Sequence, residues 1–154
     1  MGVIKRKTWV EKRETSKAAE VKKSPKDFAD IQAGEKMLIA TPEIVDQYIR
    51  NIPKGKESSL VQMRKDLAGE YHAHKTCPVT SGIFLRIVAE AAYEEYEKGK
   101  PLSKITPFWR MINEQSPALK KLSFGPDFVL QQRKKEGLDT ASQSQVVQGK
   151  IKTK

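Results

Sequence analysis

Three side chains able to bind a metal or attack an electrophile fall within one short stretch, "HAHKTC": His72, His74 and Cys77. Imidazole nitrogens and thiolates are zinc ligands, but a structural zinc site takes four of them. His-x-His-x-x-Cys supplies three, and the chain has no further Cys or His. Two loop histidines beside a small half-buried thiol are the simpler expectation, and neither a metal nor another cofactor is expected. Cys77 has a second candidate chemistry. A helix opening about three residues later, together with Lys75, could lower the thiol pKa, and His72 or His74 could act as its base. That makes Cys77 a candidate nucleophile, although no signature of a cysteine hydrolase surrounds it. The chain also lacks a Gly-rich phosphate loop, a G-x-S-x-G elbow and an H-E-x-x-H pair.

A different chemistry is suggested by "ITPFWRMI", residues 105–112, where Phe108 and Trp109 stand between Pro107 and Arg110 in a chain that is only 7% aromatic. The run looks like a strand, and side chains on a strand alternate between its two faces. Phe108 and Arg110 would then share one side, with Trp109 and Met111 on the other. One aromatic can then pack in the core while its neighbour stays free to stack on a flat base, with an arginine beside it; the ordinary alternative is two core aromatics on a buried strand. Arg86 is the only basic residue between Lys75 and Lys98. It could pair with Glu90 four residues on, or reach a base in a DNA groove.

These residues need elements to position them. Thr41, Pro42 and Glu43 open a helix: the threonine caps a free N–H, the proline lacks a donor, and the acid faces the positive end of the dipole. Ile44, Val45, Tyr48, Ile49 and Ile52 mark its buried face up to Pro53. The basic turn "NIPKGKESS" carries Lys54 and Lys56, and Ser58 or Ser59 caps a second helix with Leu60, Met63, Leu67 and Tyr71 at helical spacing. Thr80 or Ser81 opens a longer helix with a stripe from Ile83 to Ala92, stopped by "KGKP". Upstream, "KMLIAT" is a short strand or core linker. Downstream, 104–112 is extended, "NEQSPALKKLSFGPD" is a long loop, and "DFVLQQRKKEG" is a final helix stopped by Gly137. The fold expected is mainly α with short strands (α+β), with two helices and an extended segment in the order of a winged helix-turn-helix.

The chain has 29 basic and 19 acidic residues among 154. The excess sits at the ends: residues 1–30 hold nine Lys or Arg against five acids, and 133–154 hold six against two. Basic surface releases condensed counterions from phosphate backbones, so the partner expected is a polyanion, here double-stranded DNA. The organisation expected is a basic N-terminal arm over 1–30, one DNA-binding domain over 31–138 and a disordered basic tail over 139–154. No apolar run approaches the ~18 residues of a membrane span, and one cysteine fits a reducing compartment. A soluble, cytoplasmic monomer is expected.

Taken in order, "IPKGKESSLVQMRKDLA", a capped helix, "ITPFWRMI", a turn-rich loop and "QQRKKEGL" resemble the DNA-binding domain of the alkylguanine-DNA alkyltransferase family over about residues 52–138. In that family an I-P-x-G segment leads into a helix-turn-helix, a P-C-H-R segment carries the acceptor cysteine, and a Q-x-x-L-L-x-x-E-G helix follows. By this resemblance Pro107 and Arg110 match the ends of the P-C-H-R motif, Phe108 stands at the acceptor cysteine and Trp109 at the histidine. Glu136 matches the acid that orients that histidine, and is otherwise an exposed acid at a helix end. A phenyl ring and an indole can neither accept an alkyl group nor generate a thiolate.

The departure is similar to the alkyltransferase-like proteins, which bind alkylated guanine without repairing it. The resemblance implies nucleotide flipping into a base pocket of Pro107, Phe108, Trp109 and Arg110, with Phe108 as its wall. It also implies DNA contacts from Lys54, Lys56, Lys75, Ser81 and Arg86, and a repair-protein partner that is signalled by the complex. Leu60 stands where the family has a tyrosine that turns the target phosphate. Two alternatives stay open: a winged-helix regulator of undamaged DNA, and a Cys77-dependent alkyl acceptor.

Overall fold

The computed structural model describes residues 8–14 and 17–138. It is mainly helical, with one small sheet. In chain order the elements are α1 (Trp9–Arg13), β1 (Glu20–Lys23), β2 (Lys36–Ile39), α2 (Pro42–Arg50), α3 (Leu60–Glu70), β3 (Lys75–Thr76), α4 (Pro78–Glu97), 3-10 turns at Leu102–Lys104 and Phe108–Arg110, α5 (Pro117–Lys121) and α6 (Asp127–Lys135). Among the described residues no helix is long and apolar enough to cross a membrane.

Local chemistry sets most of the boundaries. Thr41 Oγ1 accepts from Ile44 N at 3.1 Å with Pro42 in the first turn of α2, and Ser59 Oγ accepts from Gln62 N at 3.1 Å to open α3. Gly137 takes φ +76, a left-handed value that costs glycine little, and ends α6. The N–H of Leu138 then donates to Arg133 O at 2.8 Å and that of Gly137 to Lys134 O at 3.1 Å, which satisfies the last carbonyls. The long helix starts earlier than expected: Pro78 occupies its first turn, so Cys77 is the cap residue itself.

β1 pairs antiparallel with β2, with Val21 opposite Leu38, and β2 pairs parallel with β3, with Leu38 opposite Thr76. The crossover between β2 and β3 is the α2–α3 pair, so the sheet ties the two helices to the start of α4. The core lies between these helices, the sheet and the 105–112 segment, with Val45, Ile49, Met63, Val88, Phe108, Ile112 and Val129 all sealed from solvent.

Three further expectations are corrected. Residues 1–30 are not a free arm, because β1 lies in the sheet and α1 docks on α4. There Trp9 N and Val10 N donate to the Glu94 carboxylate at 3.3 and 3.1 Å, and Arg13 makes a two-pronged pair with Glu95 at 3.0 Å. Of the arm, 1–7 and 15–16 lie outside the described residues, as does the whole 139–154 tail. The run 104–112 is also not a strand. Among the described residues it has no ladder partner, and Pro107 (φ −79, ψ 66) leads into a 3-10 turn. The supposed loop 113–127 likewise contains a helix, α5.

Candidate nucleic-acid interface

In a 3-10 turn side chains do not alternate between two faces, so the division of labour expected of Phe108 and Trp109 is lost. Both are core residues, 0% and 4% exposed. Phe108 stacks on Phe128 with centroids 5.8 Å apart and meets Phe124 and Trp109 edge-on at 5.8 and 5.4 Å. Phe108 is therefore not the wall of an open pocket. The phenyl ring is absorbed by packing against three other rings, in the offset and edge contacts that aromatic pairs favour.

The neighbouring polar groups converge on Glu136. Arg110 Nε lies 2.9 Å from Oε1 and Nη2 2.9 Å from Oε2, Trp109 Nε1 donates to Oε2 at 2.8 Å, and Gly55 N donates to Oε1 at 3.2 Å. Arg110 also donates to Ile52 O at 2.8 Å. Burial pushes the Glu136 carboxyl up, but the donors from Arg110, Trp109 and Gly55 outweigh it and the net shift is down. The exposed helix-end acid of the sequence reading is thus a buried hub. The indole N–H of Trp109 takes one oxygen of this carboxylate, and the guanidinium of Arg110 bridges both. The signal lay in the sequence, since a buried tryptophan needs an acceptor for its N–H.

Two separate hollows flank this region and share no lining residue. One, of about 520 Å³, contains Pro107, Trp109, Arg110 and Glu136 with Lys54 at its edge. The other, of about 610 Å³, lies beside the N-terminal half of α4 between Leu60, Ile83, Arg86, Met111, Pro117 and Lys121. Arg86, expected to contact DNA beside a pocket formed by Pro107, Phe108, Trp109 and Arg110, lines one hollow, while Pro107, Trp109 and Arg110 line the other.

Within the α4 hollow, Arg86 is held loosely. Its Nε lies 3.6 Å from Glu90 Oε2 and has no hydrogen-bond partner, while its guanidinium sits 5.2 Å over the ring of Trp9. Glu90 is engaged elsewhere, accepting from the Ser123 N–H at 2.7 Å and from its hydroxyl. Val79 and Ile83 on α4 and Val61 on α3 are more than half exposed, so the hollow opens beside an uncovered apolar face.

The remaining predicted residues scatter. Ser81 is 1% exposed and donates to Cys77 O at 2.7 Å, so it cannot contact DNA. Lys75 donates to Asp30 O and lies 3.3 Å from Glu35. Lys54 and Lys56 are exposed on the turn before α3. His74 Nδ1 accepts from Lys36 N at 2.8 Å, His72 takes φ +58 in a turn, and Cys77 is buried with Ile31 and Met37. Among the described residues no three His, Cys, Asp or Glu side chains come together as a metal site. No family model, curated protein or solved structure matches this chain.

Proposed function

We propose that this chain is a noncatalytic DNA-binding protein of the alkyltransferase-like kind, which recognises alkylated guanine by flipping it out of the duplex and marks it for a repair partner. In this reading α3 and α4 act as the helix-turn-helix of a winged-helix-like domain, with α4 as the helix that enters the groove. The observation that carries it is the hollow of about 610 Å³ beside the uncovered half of α4, with Arg86, the one basic side chain of that half, on its lining.

The hollow is within the size range of small-ligand sites and its walls are largely apolar, with Leu60, Ile83, Met111 and Pro117. Such walls suit a base whose oxygen carries an alkyl group. Burying one methyl is worth about 0.8 kcal/mol, roughly fourfold in affinity. Extruding a damaged base also costs less than extruding a paired one, so a preference of at least about tenfold follows. The stacking role assigned to Phe108 passes to Trp9, the aromatic on the lining, and Arg86 is placed to fill the gap in the stack. Lys12 and Lys121 supply charge for phosphates.

The reading is noncatalytic because the one thiol of the chain, Cys77, does not line the hollow. Incubation with alkylated duplex is expected to leave the intact mass of the protein unchanged. The binding claim is tested by anisotropy of a labelled duplex against salt. About five phosphate contacts give a slope near −4.5 in log affinity against log salt. Ile83→Asp, on the exposed face of α4, is expected to weaken binding at least tenfold with the fold intact. A flat salt response and an unaffected variant would remove DNA from the account.

A further inference from the structure

The second hollow has a different chemistry. Its lining carries four cations, Arg50, Lys54, Arg110 and Lys135, against one carboxylate, Glu136. Arg110 is consumed by Glu136 and Arg50 lies 2.9 Å from Asp46, but Lys54 and Lys135 are exposed and form no ion pair among the described residues. Gln132 lines the same cleft. It is 6% exposed, and its side-chain amide makes no hydrogen bond with any described residue. The amide is not sealed off, so the surface it keeps is open to a ligand in the cleft that it lines.

Lys135 and Glu136, the last residue and the C-cap of α6, lie three and four residues after Gln132, so the three stand on one face of its end. An unused amide, a free ammonium and the Arg110–Glu136 pair thus line one cleft, in which Pro107 and Ile105 supply apolar surface. An amide with one acceptor and two donors complements the N6–N7 edge of adenine, and paired lysines on a rim complement a phosphate.

We infer that the cleft between the Pro107–Arg110 turn and α6 is a binding site for an adenine nucleotide, with Gln132 facing the base edge and Lys54 and Lys135 holding the phosphate. The site is distinct from the α4 hollow and does not depend on it. The same chemistry reaches the protein either as a free nucleotide or as the 5′-phosphorylated end of a strand.

Calorimetric titration of the full chain tests it, with AMP, CMP, adenosine, inorganic phosphate and a short 5′-phosphorylated deoxyadenosine oligomer as probes. One AMP or one oligomer end is expected to bind per chain, and the tighter of the two identifies the source. Lys54→Ala with Lys135→Ala is expected to weaken AMP at least tenfold while leaving adenosine unchanged. Gln132→Met, which keeps the volume, is expected to abolish the preference for AMP over CMP. Arg86→Ala is expected to leave AMP binding intact, so a failure here is separable from a failure of the DNA reading. Absence of binding by both AMP and the oligomer up to millimolar concentration overturns the inference. So does AMP binding that is unmoved by the lysine pair, or AMP binding no better than inorganic phosphate.

Discussion

Arg110 and Glu136 close a two-pronged ion pair at 2.9 Å on both arms, with side chains only 14% and 7% exposed. Through it the 3-10 turn at Phe108–Arg110 is bolted to the end of α6, and the same carboxylate holds Trp109 and the backbone of Gly55. Removing one partner of a buried pair leaves the other charge stranded, which is worse than never having buried either.

Glu136→Gln is therefore expected to cost about 3 kcal/mol at neutral pH, measured by denaturant unfolding. Glu136 has a depressed pKa in the folded protein, so its contribution is complete above the ordinary carboxylate range and is lost as pH falls through the depressed value. The gap between wild type and variant should close in acid. A gap that persists unchanged to low pH contradicts the assignment.

Phe108 tests the division between core and contact. Phe108→Ala removes a ring with no exposed surface from contact with Phe124 and Phe128. The expected loss is about 3–5 kcal/mol of stability, with DNA affinity unchanged where the variant is still folded. A variant of wild-type stability that binds DNA poorly would restore Phe108 to the interface.

Arg86→Ala should do the reverse. Its side chain is 39% exposed, its contact with Glu90 is long, and the buried Glu90 carboxylate keeps both hydrogen bonds from Ser123, so the stability change is expected to be small. DNA affinity is expected to fall by about 1–3 kcal/mol, read by anisotropy beside a melting curve.

Tyr48 gives an alkaline signature. Its hydroxyl lies 2.6 Å from Asp66 Oδ2 and 2.9 Å from Ser58 Oγ, and burial first, then Asp66, pushes its pKa up to about 12. A phenol raised above its unfolded value of about 10 stabilises fully below pH 10 and loses that contribution as pH climbs towards 12. Tyr48→Phe should cost about 1 kcal/mol at neutral pH and show a flatter decline over that alkaline window.

The sequence was legible where the cause of a structure is local. Thr41 with Pro42, Ser59, and Gly137 each act within a turn of themselves, and the helices they bound are the ones expected. It misled at 105–112, where an apolar run resembles a strand but no described strand pairs with it. Whether a ladder forms depends on a partner strand elsewhere in the chain. The docking of α1 was equally hidden, because its acceptors, Glu94 and Glu95, lie more than eighty residues away. For the site, the types of Trp109, Arg110 and Glu136 were visible, whereas their convergence and the separation of Arg86 into another hollow are products of packing.

The central claim is that the hollow beside α4 receives an everted alkylated guanine. The direct measurement is competition between two duplexes of identical sequence, one with an alkyl group on the oxygen of a single guanine, for wild-type protein at fixed salt. The account predicts at least about tenfold tighter binding of the alkylated duplex, lost in Arg86→Ala. Equal affinity for the two duplexes would contradict it.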